Sequence, residues 1–272
     1  MYATTMRTRL ETLTIIEKER FLRELLSDRK YSSCKRLERF GRKVYSQYDE
    51  DGIIQEIFRR IGVESKKFVE FGVGNGLENN TLKLLLEGWS GLWIEGGEAL
   101  VSQINHKFRD VMSENRLLVK RAFIDRDNIN GLIAPYLSDE IDLLSIDIDG
   151  NDIYILEAIS VVDPRVIVIE YNGKFPPPMS LAQRYNPNHR WDESDYGGAS
   201  LQALTKVADR KGYSLVGCGM VGVNAFFVRK DLTVDKFEAP FTAENHYQPA
   251  RYFLAGTYRS GHPPNFGRYE VI

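Results

Sequence analysis

Apolar positions along the chain change their period twice. In "ETLTIIEKERFLRELLSD", Leu13, Ile16, Phe21, Leu22 and Leu25 recur at roughly helical spacing. This predicts helix from the start to about Arg42. "DEDGIIQEIFRRIG" predicts a second helix over 49–62, closed by Gly62. From Lys67 onward, short apolar runs alternate with stretches of helical period. Strands are predicted at 67–71, 91–96, 117–124, 142–149 and 165–172. Helices are predicted at 79–87, 99–108, 128–137 and 153–160. Strands alternating with helices imply parallel pairing in a doubly wound sheet.

The pattern breaks at Gly173. "GKFPPPMSLAQRYNPNHRWDESDYGG", 173–198, holds four prolines and many polar residues. A loop of this length in a compact domain is expected to be functional, here a lid over substrate. Helical period returns over 200–212, with Leu201, Leu204, Val207 and Ala208 on one side. "YSLVGCGMVGVNAFFVRKDL" then reads as two strands joined by a glycine-containing turn, an antiparallel pair. The tail, 237–272, has aromatics, prolines and histidines without a period and reads as a packed extension over a site. The fold class is therefore α/β: seven strands, mostly parallel, with an antiparallel edge hairpin, N-terminal helices and a C-terminal extension. The expected division is a helical cap at 1–45, an α/β domain at 46–232 and the extension at 233–272.

The chain's 272 residues and 43% hydrophobic content suit one such domain with attachments. A net charge of −2 lacks the basic surface of a nucleic-acid binder. The locally basic "CKRLERFGRK" reads as a solvated helix face. Cys34 and Cys218 are the two cysteines, too few for a disulfide framework or a cysteine zinc site. No apolar run approaches a membrane span, so cytoplasmic residence is expected. The apolar positions of the first segment fit either core packing or a homodimer interface.

Chemistry concentrates where strands end. "KKFVEFGVGNGLENNT" puts Gly72, Gly74 and Gly76 directly after a strand. A phosphate-cradling loop needs Gly-Lys-Ser/Thr, and here Leu77, Glu78 and Asn79 follow the last glycine. A dinucleotide fingerprint needs G-x-G-x-x-G; this turn is G-x-G-x-G, with Glu78 beside it. S-adenosylmethionine, a sulfonium without phosphate, fits an acid-flanked turn better, with Glu70 ahead of the glycines. Glu95 ends the next strand, 25 residues after Glu70. A carboxylate there can accept hydrogen bonds from both ribose hydroxyls.

"FVEFGVGNG" followed by "LWIEG", "SIDIDG", "VIVIEYN" and a late antiparallel pair resembles class I S-adenosylmethionine-dependent methyltransferases. "SQYDEDGIIQEIF", "LLSIDIDGNDIYILEAI" and "YGGASLQALTKVADRKGYSLVGCGMVGVNAFFV" resemble the FkbM-type branch. The resemblance runs from about Tyr45 to Leu232. It implies a Rossmann-like sheet with Glu70, Gly72, Gly74 and Gly76 lining the methionine part of the cofactor. It further implies Glu95 on the ribose, Ala122 and Phe123 near the adenine, Asp147 beside the donor, and Gln47 and Asp51 closing over the site. FkbM-type chains often carry lysine and glutamate where Ser145 and Asp149 stand here.

"SIDIDGND" adds Asp147, Asp149 and Asp152, and the next strand ends in Glu170, Tyr171 and Asn172. Ligands of open α/β sheets bind outside the carboxyl ends of strands, so these groups should converge. Two roles stay open. Asp147, Asp149 or Asp152, and Glu170 can hold Mg²⁺ or Mn²⁺ and activate an acceptor hydroxyl. Alternatively Asp149 or His189 is a metal-free general base, with Asp152 capping the following helix. Arg184, Tyr185, His189, Arg190, Trp191 and Tyr196 in the loop suit a sugar ring. So do His246, Tyr247, Arg251, Tyr252 and His262 in the tail. The expected activity is transfer of methyl from S-adenosylmethionine to a hydroxyl of a sugar or glycoconjugate. The alternatives are a non-catalytic binding protein on this fold and, further off, a nicotinamide oxidoreductase.

Overall fold

The computed structural model describes residues 2–255 and 261–272; positions 256–260 of the expected extension lie outside the described residues. In chain order the first elements are α1 Tyr2–Leu26, α2 Glu50–Ile61, β1 Lys67–Phe71, α3 Leu82–Leu86 and β2 Ser90–Glu95. Next come α4 Glu98–Lys107, α5 Arg109–Ser113, β3 Leu117–Arg121, α6 Ile129–Ile133, β4 Asp139–Ile146 and α7 Asp152–Ala158. Then follow β5 Val162–Glu170, β6 Leu181–Gln183, α8 Leu201–Arg210, β7 Tyr213–Cys218, β8 Asn224–Arg229, α9 Ala243–His246 and β9 Tyr269–Val271.

Seven strands form one sheet in the order β3-β2-β1-β4-β5-β8-β7. The first five are parallel to their neighbours, and β8 runs antiparallel to both β5 and β7. The fold is the expected doubly wound α/β sheet with an antiparallel edge hairpin. Strand order reverses between β1 and β4, which opens a crevice at their carboxyl ends.

Side chains of a strand alternate between its faces, and the two faces carry separate cores. Val69 and Phe71, with Leu144, Ile146, Ile167 and Ile169, pack under α6, α7 and α8. Phe68, Trp93, Leu143, Val166 and Val168 pack under α2 and α4. Glu70 has the parity of Phe68, so a carboxylate enters the second core beside Ser145, its register partner on β4.

Three expectations need correcting. Helix does not reach Arg42: α1 ends at Leu26, and the chain continues through two single 3-10 turns at Arg29–Tyr31 and Glu38–Phe40. Asp28 takes the Lys30 amide at 2.7 Å and starts the first of them. Along α1, Met6, Leu10, Leu13 and Ile16 are more than half exposed, while near its end Phe21 meets Phe253 edge-on at 5.4 Å. The helix expected at 79–87 starts later, at Leu82, because Asn80 and Thr81 are bound to Glu70. The aperiodic tail supplies a strand. β9 pairs antiparallel with β6, Leu181 opposite Val271 and Gln183 opposite Tyr269, and so anchors the long loop.

Candidate active site

Because β1 to β5 run the same way, their carboxyl ends lie at one edge of the sheet. The glycine turn leaves β1 there. Gly72 has φ +68, and a Cβ on it would stand 1.7 Å from the carbonyl oxygen of Asp147. The turn therefore presses directly on the end of β4, and a side chain at this position is sterically excluded. The Gly74 amide donates to Glu95 Oε2 at 3.0 Å, and Gly97 donates to Glu95 Oε1 at 2.8 Å. Glu95, half-buried at the end of β2, thus grips the turn. Gly76 packs on the rings of Trp93 and Phe108.

Glu70 has a different place from the one the resemblance implies. It is 2% exposed, and its oxygens accept from the Asn80 and Thr81 amides and from the hydroxyls of Thr81 and Ser145. Burial pushes its pKa up to about 7 against those donors. Glu70 therefore ties the turn's far end to β4 and leaves no oxygen for a ligand. Asp51 is buried and turned to its own strap: Oδ2 accepts the amides of Val44, Tyr45 and Ser46, while Oδ1 has no hydrogen-bond partner among the described residues. This shapes the strap that carries Gln47 and Tyr48 over the site, and Lys43 on that strap pairs with Glu78 of the turn at 2.5 Å.

At the end of β3, Ala122 donates its amide to the Glu95 carbonyl at 3.1 Å. Phe123 follows, 57% exposed. The Arg190 guanidinium lies 3.9 Å from the Phe123 ring centroid, so the long loop reaches across this edge.

Beyond β4 and β5, oxygens of Asp147, Asp149 and Glu170 lie within 4.8 Å of one another. Burial and then the Asp149 charge hold the Asp147 pKa well above the carboxylate range; burial and then Asp147 do the same for Glu170. Burial also raises Asp149, opposed by His189. Like charges this close share protons or a cation. Asp152 is not a fourth member. It accepts the amides of Ile148 at 2.9 Å and Gly150 at 2.8 Å, and so folds the turn carrying Asp149, which has φ +56. His189 bonds through Nε2 to the Asp149 backbone carbonyl at 3.0 Å. A carbonyl only accepts, so Nε2 carries the proton and Nδ1 is the nitrogen left to act as base.

A cavity of about 600 Å³ opens between these carboxylates and the loop and tail. Of the loop residues singled out from sequence, Trp191 lines it; of the tail residues, Tyr252 and His262 do. The others are engaged elsewhere. Tyr185 stacks under Arg126 and against Tyr154, Tyr196 donates to the Arg268 carbonyl, and Arg184 pairs with Glu270. His246 is fully buried against the Glu238 carbonyl, and Arg251 holds the Met220 carbonyl. Sequence reasoning missed Tyr48, Lys174, Glu193 and Asp195, which also line the cavity. Tyr48 lies next to the strap residue Gln47, and Lys174 bonds Asp195 across the loop.

No family model matches the chain, and comparison with curated proteins found no match. Among solved structures it is similar to magnesium protoporphyrin IX methyltransferase (ChlM) from Synechocystis PCC 6803 with bound SAM. Identity is 13% over 78% of this chain and 97% of that one, with a TM-score of 0.44. It is also similar to a S-adenosylmethionine-dependent methyltransferase from Clostridium acetobutylicum ATCC 824, at 13% identity over 69% and 92% of the chains, TM-score 0.42. A third is the glycopeptide N-methyltransferase MtfA complexed with sinefungin, at 13% identity over 65% and 85%, TM-score 0.40.

Proposed function

We propose that this chain transfers a methyl group from S-adenosylmethionine to a hydroxyl of a sugar or glycoconjugate, assisted by a divalent cation at Asp147, Asp149 and Glu170. The observation that carries the reading is one juxtaposition. The Glu95-gripped glycine turn and the three converging carboxylates sit at the same crevice of the sheet.

The residues present fit such a cofactor. Glu95 at the mouth of the turn suits a ribose diol, and the G-x-G-x-G spacing departs from a dinucleotide fingerprint. Glu95 spends each oxygen on one backbone amide, which leaves lone pairs for the two hydroxyls. Phe123, exposed but with the Arg190 guanidinium over its ring, offers a purine the part of the ring that Arg190 leaves open. S-adenosylmethionine, when bound, supplies a sulfonium methyl that needs an oxygen nucleophile in line. The protein's share is then placement: backbone pressed close at Gly72, the ribose fixed at Glu95, and the acceptor confined in the cavity.

Three oxygen ligands within 4.8 Å suit a hard cation such as Mg²⁺ or Mn²⁺. Asp147 and Glu170 are the less exposed pair, and Asp149, the most exposed of the three, offers the cation one carboxylate oxygen and keeps the other for the acceptor proton. His189 then acts as a positioning residue, holding the backbone of Asp149 through its carbonyl. Calorimetric titration with S-adenosylmethionine tests the reading. Saturable one-site binding, followed by turnover that excess EDTA abolishes and Mg²⁺ or Mn²⁺ restores, is the expected result. Absence of binding to folded protein overturns it; turnover undiminished in EDTA removes the cation.

A further inference from the structure

Resting on the methyl-transfer reading, we propose that the acceptor is a polyhydroxyl ring free of phosphate and carboxylate. The cavity's own charges carry this. Among the described residues, Asp147, Asp149, Glu170, Glu193 and Asp195 line it, against one permanent cation, Lys174. Lys174 is already committed, its ammonium bonded to Asp195 Oδ2, while the Asn265 amide donates to Oδ1 of the same carboxylate at 2.7 Å. A divalent ion on the inner three, together with Lys174, leaves two negative charges. A proton shared between Asp147 and Glu170 still leaves one. Among the described residues no arginine lines the cavity to receive a phosphate in bidentate fashion, the usual way such groups are recognised.

The cavity is also lined by an aromatic wall built from two distant segments. Trp191 meets His262 edge-on at 4.9 Å, and His262 meets Tyr252 at 5.0 Å. The Trp191 indole N–H donates to the Ser194 carbonyl at 2.8 Å, which fixes the ring, yet the residue is 39% exposed. An aromatic face beside acceptor-rich carboxylates recognises a saturated ring by its C–H face and its hydroxyl donors. Arg184 and Arg190, the loop arginines that would suit an acidic sugar, are instead placed on Glu270 and Phe123.

Trp191 allows the cavity's sign to be read without the acceptor, because Trp89 and Trp93 are 4% and 0% exposed. Normalised to each ion's quenching of free N-acetyltryptophanamide, collisional quenching of Trp191 fluorescence by caesium should exceed quenching by iodide about threefold or more at low salt, as a negatively walled cleft concentrates cations. The response should vanish in Trp191→Phe, and the ratio should narrow in Glu193→Lys. Equal or stronger iodide quenching overturns the proposal. The second arm incubates the protein with methyl-labelled cofactor and a cell extract, removes the cationic unreacted cofactor on a cation exchanger, then passes the products over an anion exchanger. Label in the unretained fraction supports the proposal, and label in the retained anionic fraction overturns it. Cofactor binding with no label in any fraction counts against methyl transfer itself and leaves the quenching ratio to decide the cavity's sign.

Discussion

Glu95 holds Gly74: the amide of the middle glycine donates to Oε2 at 3.0 Å, while Oε1 takes Gly97 at 2.8 Å. One carboxylate thus clamps the turn from β1 to the start of α4, and each oxygen keeps a lone pair beyond that bond. Replacing it with alanine removes the clamp and the diol acceptor together. Hydrogen bonds to charged groups contribute about 1.5–3 kcal/mol each, so Glu95→Ala should weaken S-adenosylmethionine binding by roughly 10- to 100-fold. Calorimetry reads this directly. Affinity equal to wild type would remove Glu95 from the cofactor site.

Gly72 and Gly88 separate crowding from backbone strain. Both have positive φ, +68 and +87, but a Cβ at Gly72 meets the Asp147 carbonyl oxygen at 1.7 Å, whereas Gly88 has open space. Gly88→Ala should cost about 1–2 kcal/mol from the left-handed backbone alone. Gly72→Ala should cost more, at least about 3 kcal/mol, and distort the end of β4. Urea unfolding of the two variants checks the order. Equal losses would mean that the turn yields, and that the contact with Asp147 does not set its shape.

The alternation of apolar runs and helical periods made the sheet legible, because each buried parallel strand reads as a short apolar block. The glycine turn, Glu95 and the Asp147, Asp149 and Glu170 set were legible for the same reason: they directly follow such blocks. Glu70 was misplaced because an acid before a glycine turn looks the same whether it faces a ligand or, as here, binds the amides of Asn80 and Thr81 inside the core. Trp191, Tyr252 and His262 were singled out from sequence, but their meeting was hidden, because Trp191 and Tyr252 are 61 positions apart and meet through the β6–β9 pairing and His262. A three-residue strand has too few positions to show a period.

Asp149 is the most exposed of the three carboxylates and the least needed to hold the cofactor turn. Asp149→Ala should leave cofactor affinity within about twofold while turnover falls roughly 10²- to 10⁴-fold, the range of a lost general base. Asp147→Asn should instead abolish the response to added Mg²⁺ or Mn²⁺, followed as metal-dependent turnover and as metal binding by calorimetry. An Asp149→Ala enzyme that turns over like wild type would take that residue out of the mechanism.

Glu70 gives a pH signature of opposite sign to that of a salt-bridged acid. Burial raises its pKa in the folded chain to about 7 from an ordinary 4.5. Between those values the folded chain keeps a proton that the unfolded chain has released. The stabilisation is therefore complete below pH 4.5 and is lost as pH rises through 7. His246 works the other way: burial and then Arg36 lower its pKa to about 3 from 6.5, so its share is lost as pH falls below 6.5. Comparing wild type with Glu70→Gln cancels His246 and isolates the acid. The difference in unfolding free energy should change by about 1–3 kcal/mol between pH 4.5 and 8, with wild type losing ground to the variant as pH rises. Urea titrations at half-unit pH steps measure it. Parallel curves would mean that the donors from Asn80, Thr81 and Ser145 outweigh burial and keep Glu70 ionised.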